Sequence, residues 1–155
     1  MSLPHRIAAG AVVIHQQRVL LVRYAPSSGG TYLVAPGGGV QDAEPLAQAA
    51  VRETLEETGW EVHLTCLLGV QQWSSQSGRQ FVRFTFAADA VRHDPTRPLD
   101  TGILRALWLT RDEIAAAAER LRSPMVLAGV DDWLGGRRLP LDAIRWLTDE
   151  AGSNG

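Results

Sequence analysis

Three carboxylates, Glu53, Glu56 and Glu57, fall within five consecutive positions directly after Arg52. At about 100° per helical residue they occupy an arc of about 100° on one helix face. Such crowding is unfavourable by itself. Glu53 and Glu57 form an i,i+4 like-charge pair costing a few tenths of a kcal/mol. Acids in a last helical turn also oppose the helix dipole, and Arg52, four residues before Glu56, offsets only part of this. A solvated acidic face is the ordinary reading of a charge run. The residues upstream favour another. Gly37-Gly38-Gly39 lets backbone amides and carbonyls approach a cation or a phosphate oxygen. A hard divalent cation takes oxygen ligands, and the acid face offers them from one rigid surface. Glycine run and acid face together suit a metal-bound diphosphate.

The flanking sequence supplies elements to hold these groups. Pro45 fits a first helical turn, alanine and leucine fill the interior, and Gly59 fits the stop. Ala47, Ala50, Val51, Thr54 and Thr58 give this helix a small or apolar face for a sheet. Residues 7–14 and 19–24 read as a strand hairpin, and 31–35 as a short strand running into the glycine loop. Residues 61–70 and 80–90 read as strands about the polar loop 74–78. A brief strand over 105–109 ends at Thr110, an N-cap for a helix over 111–121. Ser123-Pro124 opens a further helix to about Leu134, closed by Gly135-Gly136. Residues 140–147 suggest a last helical turn or two, and 151–155 a frayed tail. The pattern predicts a single domain over 1–150, α/β or α+β, with more strands than helices.

Composition narrows the partners. The chain has 155 residues, 45% hydrophobic and 21% charged, enough for one packed core. Its formal net charge is −2, and no block of basic residues marks a long nucleic acid or anionic membrane as partner. A small polyanion held through a metal stays compatible with that balance. The single cysteine, Cys66, lies among leucines and reads as a packed strand residue. A lone cysteine forms no internal disulfide, and no stretch resembles a signal peptide or bilayer span. A cytoplasmic location is expected. His5, His15, His63 and His93 are scattered and form no metal-ligand spacing within one element.

The spacing Gly38, five residues, Glu44, seven residues, Arg52-Glu53-Thr54-Leu55-Glu56-Glu57-Thr58-Gly59-Trp60 resembles the Nudix box, G-x5-E-x7-R-E-U-x-E-E-x-G-U. Every charged and glycine position agrees. Thr54 and Trp60 depart from the pattern, both at packing positions. The resemblance implies a Nudix fold, a mixed β-sheet sandwiched between α-helices, and hydrolysis of a phosphoanhydride in a nucleoside diphosphate linked to another group. It implies Mg2+, with Mn2+ as the alternative ion, held by Glu53, Glu56, Glu57 and the Gly37 carbonyl. Arg52 would orient Glu53, and Glu44 would hold the loop–helix junction. Metal-activated water would attack phosphorus, with Glu53 as first choice of general base. Asp100 is the loop candidate for that base, with Asp94 behind it, and a solvated turn residue is its other reading. Thr101 stands where relatives often place a glutamate.

Substrate residues lie largely outside the box. Gly38 and Gly39 would approach the phosphates. Arg83 would clamp a terminal phosphate with Arg79 helping, unless it pairs with a box carboxylate. Trp73 would stack on a heterocycle, and Tyr32 and Leu33 would line the mouth. The segments QQW, FVRF and LRSPMVLAGVDDWLGGRRLPLDAI are similar to a Nudix subgroup acting on hydroxymethylpyrimidine and thiamine pyrophosphates and on nucleoside di- and triphosphates. A second reading keeps the family but takes ADP-ribose, a dinucleotide or an oxidised nucleoside triphosphate. A third, a non-catalytic ligand-binding regulator, ranks last because all the box carboxylates are present. The oligomeric expectation is a monomer or homodimer.

Overall fold

The computed structural model describes residues 4–149, so the frayed tail expected over 151–155 lies outside the described residues. The strands are β1 (His5–His15), β2 (Arg18–Tyr24), β3 (Tyr32–Val34), β4 (Gly37–Gly39), β5 (Trp60–Ser74), β6 (Gln80–His93) and β7 (Ile103–Thr110). The helices are α1 (Leu46–Thr58), α2 (Arg111–Ala116) and α3 (Met125–Leu134). All seven strands belong to one mixed sheet. β1 runs parallel to β6 from His5↔Gln80 to Val13↔Ala88, while β5 pairs antiparallel with β6. β2 carries β3 on one side and β7 on the other, both antiparallel.

Side-chain alternation along the strands builds two cores. Ala9, Ala11, Val13, Leu20 and Phe86 pack with Ala49 and Ala50 of α1 on one face. Val12, Val19, Leu21 and Leu33 pack with Ile114 of α2 and with Val126 and Val130 of α3 on the other. The sheet is therefore sandwiched between helices, as the resemblance implies. Small residues decide where α1 sits. The alanines of β1 meet the alanines of α1, which lets the helix lie close enough to bring its acids to the strand ends. Thr54 and Thr58 are buried within α1, and their hydroxyls donate to the carbonyls of Ala50 and Thr54. The Thr58 hydroxyl also accepts from the Trp60 amide at 3.0 Å, just past the helix end.

Several expectations need correction. Gly37–Gly39 is a strand, not a loop: it pairs with β1 through Ala8↔Gly39, Ala9↔Gly38 and Gly10↔Gly37. Without side chains, Gly37 and Gly38 fit where a Cβ would collide with Ala9 and Gly10 of β1 and with Glu53 of α1, while the space at Gly39 is open. The 7–14 and 19–24 hairpin exists only next to its turn, at Ile14↔Val19 and His15↔Arg18, because β1 beyond it pairs with β4 and β6. The helix over 111–121 stops at Ala116 and continues as a 3-10 turn, Ala118–Arg120. The tightening carries Leu121 to a bridge with Leu33, where the Arg122 amide donates to the Leu33 carbonyl. Over 140–147 only Leu141–Ala143 is helical, as one 3-10 turn, and Leu139 before it exchanges hydrogen bonds with Leu67 of β5.

Gly10 shows how tightly this corner is built. A Cβ there would sit 2.5 Å from the Pro36 carbonyl oxygen and would collide with the Arg83 guanidinium. Gly10→Ala should cost about 1–3 kcal/mol, the usual range for overpacking. Thermal melting checks this, and an unchanged melting temperature would contradict the close approach.

Candidate active site

Arg52 organises the charged end of α1. Its Nε and Nη2 donate to the Glu44 carboxylate at 2.7 and 2.9 Å. Its Nη1 donates to Glu53 and Glu56, each at 3.0 Å, and Nη2 also reaches the Gly39 carbonyl at 3.0 Å. One guanidinium thus ties β4, the loop before α1 and two turns of the helix together. Glu44 also accepts from the Gln41 amide at 3.0 Å, which fixes the entry to the helix. The Arg52 hydrogen bond is the main cause holding the Glu44 carboxyl below its ordinary pKa.

Beyond Arg52 the acids converge. One carboxylate oxygen each from Glu53, Glu56 and Asp100 lies within 4.8 Å of the others. Asp100 arrives from the loop before β7, its amide donating to the Glu56 carbonyl at 3.2 Å. Glu57 stands apart. It is 8% exposed, and its Oε1 accepts from the Gly37 amide at 2.8 Å. Burial pushes the Glu57 carboxyl up to about 8; the charges of Glu53 and Asp100 add to the rise, while the Gly37 amide and Arg83 oppose it. Burial likewise raises Glu53, against the pull of Arg52. This is a set of hard oxygen donors with too little positive charge among them, and a divalent cation fits that deficit. Asp100 joins Glu53 and Glu56, and Gly37 turns its amide toward Glu57.

The acids border a cavity of about 460 Å³ lined by Gly37, Gly38, Gly39, Glu53, Glu57 and Asp100 at one end. The Glu53 carboxylate lies against Gly38, where a Cβ would come within 2.7 Å of it. Arg83 reaches the same space from β6. Its Nη2 donates to the Pro36 carbonyl at 3.0 Å, and burial lowers its pKa against the pull of Glu57 and Glu53. It makes no ion pair with a box carboxylate among the described residues. Trp73 and Phe81, cross-strand neighbours on β5 and β6, stack with ring centroids 5.3 Å apart and border the cavity with Arg79.

The NUDIX domain family model matches residues 4–128. The chain belongs to the Nudix family. It is 33% identical over 134 residues to the phosphatase NudJ of Escherichia coli (strain K12), covering 86% of this chain and 87% of that one. It is also similar to the solved NUDIX hydrolase from Nitrosomonas europaea, with TM-score 0.90 and 36% identity over 93% of this chain and 98% of that chain. A MutT protein from Methanosarcina mazei Go1, at 19% identity and TM-score 0.71 over 89% and 99% of the two chains, shares the fold. The Nudix assignment makes the chain a hydrolase of phosphorus-containing acid anhydrides acting on small pyrophosphate substrates.

Within this Nudix cavity two residues expected at the mouth, Leu33 and Tyr32, do not line the wall. Leu33 is 3% exposed and belongs to the core with Cys66, Leu68 and Ile114. On β3 the alternation turns Leu33 inward, so Val34 and Ala35 border the cavity and Leu33 does not. Tyr32 is replaced at the wall by Tyr24 of β2, its cross-strand neighbour. Arg6, Tyr24, Arg122 and Met125 line the cavity without being expected there, and Ser123, read as a helix start, lines it too. The parallel β1–β6 pairing puts Arg6 opposite Phe81, a neighbour that no local spacing signals.

Proposed function

We propose that the chain is a Mg2+-dependent phosphatase or pyrophosphohydrolase of small organic pyrophosphates or nucleoside di- and triphosphates. Hydroxymethylpyrimidine and thiamine pyrophosphates are the leading candidates. The observation carrying this reading is the convergence of Glu53, Glu56 and Asp100 beside Gly37–Gly39, at the end of a cavity that Arg83 enters. A bound divalent cation would supply neutralisation of the diphosphate charge and a more acidic attacking water. Glu53, Glu56 and Asp100 would hold it, with Glu57 and Gly37 at its border.

The protein's own groups do the rest. Glu53, fixed by Arg52 and pressed against Gly38, accepts the proton of the attacking water. Asp100 is the second candidate for the same proton. Arg83 meets the phosphoryl group that leaves or is transferred, while Arg79 adds charge at the cavity rim. The Trp73–Phe81 stack offers a flat apolar wall to a heterocycle. NudJ carries the name phosphatase, which favours release of orthophosphate over pyrophosphate.

A panel of pyrophosphates tests this reading, with phosphate and pyrophosphate counted separately. Turnover should need added Mg2+, stop with EDTA and release orthophosphate. Undiminished turnover in EDTA would overturn the metal-dependent reading. Pyrophosphate release would instead favour the reading for an oxidised nucleoside triphosphate, and nucleoside monophosphate with neither inorganic product the reading for ADP-ribose or a dinucleotide.

A further inference from the structure

The cavity is also lined by a cationic residue from the α2–α3 side, Arg122. Arg122 follows the 3-10 turn after α2, with its backbone anchored by the amide hydrogen bond to Leu33 at 3.0 Å. Its guanidinium carbon lies 4.8 Å from the Tyr32 ring centroid and 5.8 Å from that of Tyr24. Stacking on a tyrosine face restrains an otherwise mobile side chain while its donors stay free. Ser123 beside it borders the cavity too, and its hydroxyl accepts from the Met125 amide at 3.2 Å.

Charge pairing separates this arginine from many others. Arg52, Arg92, Arg111 and Arg137 each have a carboxylate partner. The arginines bordering the cavity, Arg6, Arg79, Arg83 and Arg122, have none among the described residues. Arg83 sits by the acids, at the phosphoryl end, and gives one of its donors to the Pro36 carbonyl. Arg122, on the α2–α3 side, is held by aromatic rings and leaves its fork of donors without an acceptor. Cationic side chains in that position suit an anionic group that the acid end does not handle.

Resting on the proposed diphosphate chemistry, we propose that Arg122, stacked on Tyr32, is a specificity-determining residue that binds an additional phosphate of the substrate, distinguishing triphosphates from diphosphates. Two substrates sharing one base, a nucleoside diphosphate and its triphosphate, give the kinetic test. Arg122→Gln should raise KM for the triphosphate about tenfold or more, leaving its kcat and the diphosphate KM within about twofold, the pattern of lost ground-state binding. Inorganic tripolyphosphate binding to the EDTA-treated protein, measured by calorimetry, should weaken by a similar factor in Arg122→Gln.

Arg122→Lys keeps the charge but loses the flat, forked group, so it should recover only part of the tripolyphosphate affinity. It also serves as the second variant if Arg122→Gln melts early. Equal KM increases for both substrates, or tripolyphosphate binding unchanged in both variants, would overturn the proposal. If the wild type turns over neither substrate, the diphosphate reading fails on its own, and the calorimetric result still decides for or against the Arg122 subsite.

Discussion

Glu57→Gln should lower kcat/KM on the order of 10²-fold or more, the scale of losing one preorganised charged group at a transition state. The same substitution should stabilise the metal-free protein at alkaline pH. The stability effect follows from burial. Glu57 is a buried carboxyl with the Gly37 amide as its hydrogen-bond donor, and burial pushes it up to about 8 from 4.5. Between those values the unfolded chain has released this proton while the folded chain still holds it. The unfolded state then binds fewer protons, so stability falls as pH rises from about 4.5 to about 8. Glutamine keeps an oxygen for the Gly37 amide and removes the slope. In EDTA, wild type and Glu57→Gln should melt alike near pH 5, with the variant melting several degrees higher near pH 8. Added Mg2+ should raise the wild-type melting temperature and narrow that gap. A variant that keeps full activity, or a wild type equally stable across this range, would contradict the assignment of Glu57.

Arg52→Lys should lower kcat/KM by about 10–100-fold, the usual cost of losing a partner that orients a metal ligand. Lysine retains the charge, but it cannot donate to Glu44, Glu53, Glu56 and the Gly39 carbonyl at once from one planar group. Its effect on melting should be small, because the acids are partly solvated and screened. Arg52→Ala should cost more in both measurements, since Glu53 and Glu56 would then face each other without a cation between them. Calorimetric Mn2+ titration separates the two roles: weaker Mn2+ binding in Arg52→Lys reports ligand orientation. Kinetics within twofold of wild type would show that the guanidinium fork does not matter.

The parts of the fold visible in the sequence were those written in local spacing. Helix α1 is bounded by Pro45 and Gly59, and Gly59 adopts the left-handed φ of 75° that favours glycine at a helix end. Thr110 caps α2 with a reciprocal Glu113 bond, as its position before a helical run suggests. What local spacing could not show was long-range pairing. β1 with β6 is parallel across some seventy intervening residues, and β4 reads as a loop because three glycines carry no strand signal. The same limit applies to the site. The spacing of Glu53, Glu56 and Glu57 marks one helix face, yet burial divides that face. Glu57 turns to the Gly37 amide and Asp100 takes a place near the other two through a backbone hydrogen bond. Leu33 was misassigned because adjacency to the glycine run says nothing about which side of β3 a residue faces.

The central claim is that the crowded acids exist to hold divalent cation against a phosphate chain. Anomalous scattering from a crystal grown with Mn2+ and a non-hydrolysable imidodiphosphate tests it most directly. The account predicts density for Mn2+ among the carboxylates of Glu53, Glu56 and Asp100, bridged to phosphate oxygens in the cavity beside Gly38. Mn2+ bound elsewhere, with those carboxylates turned to bulk water and the diphosphate outside the cavity, would contradict it.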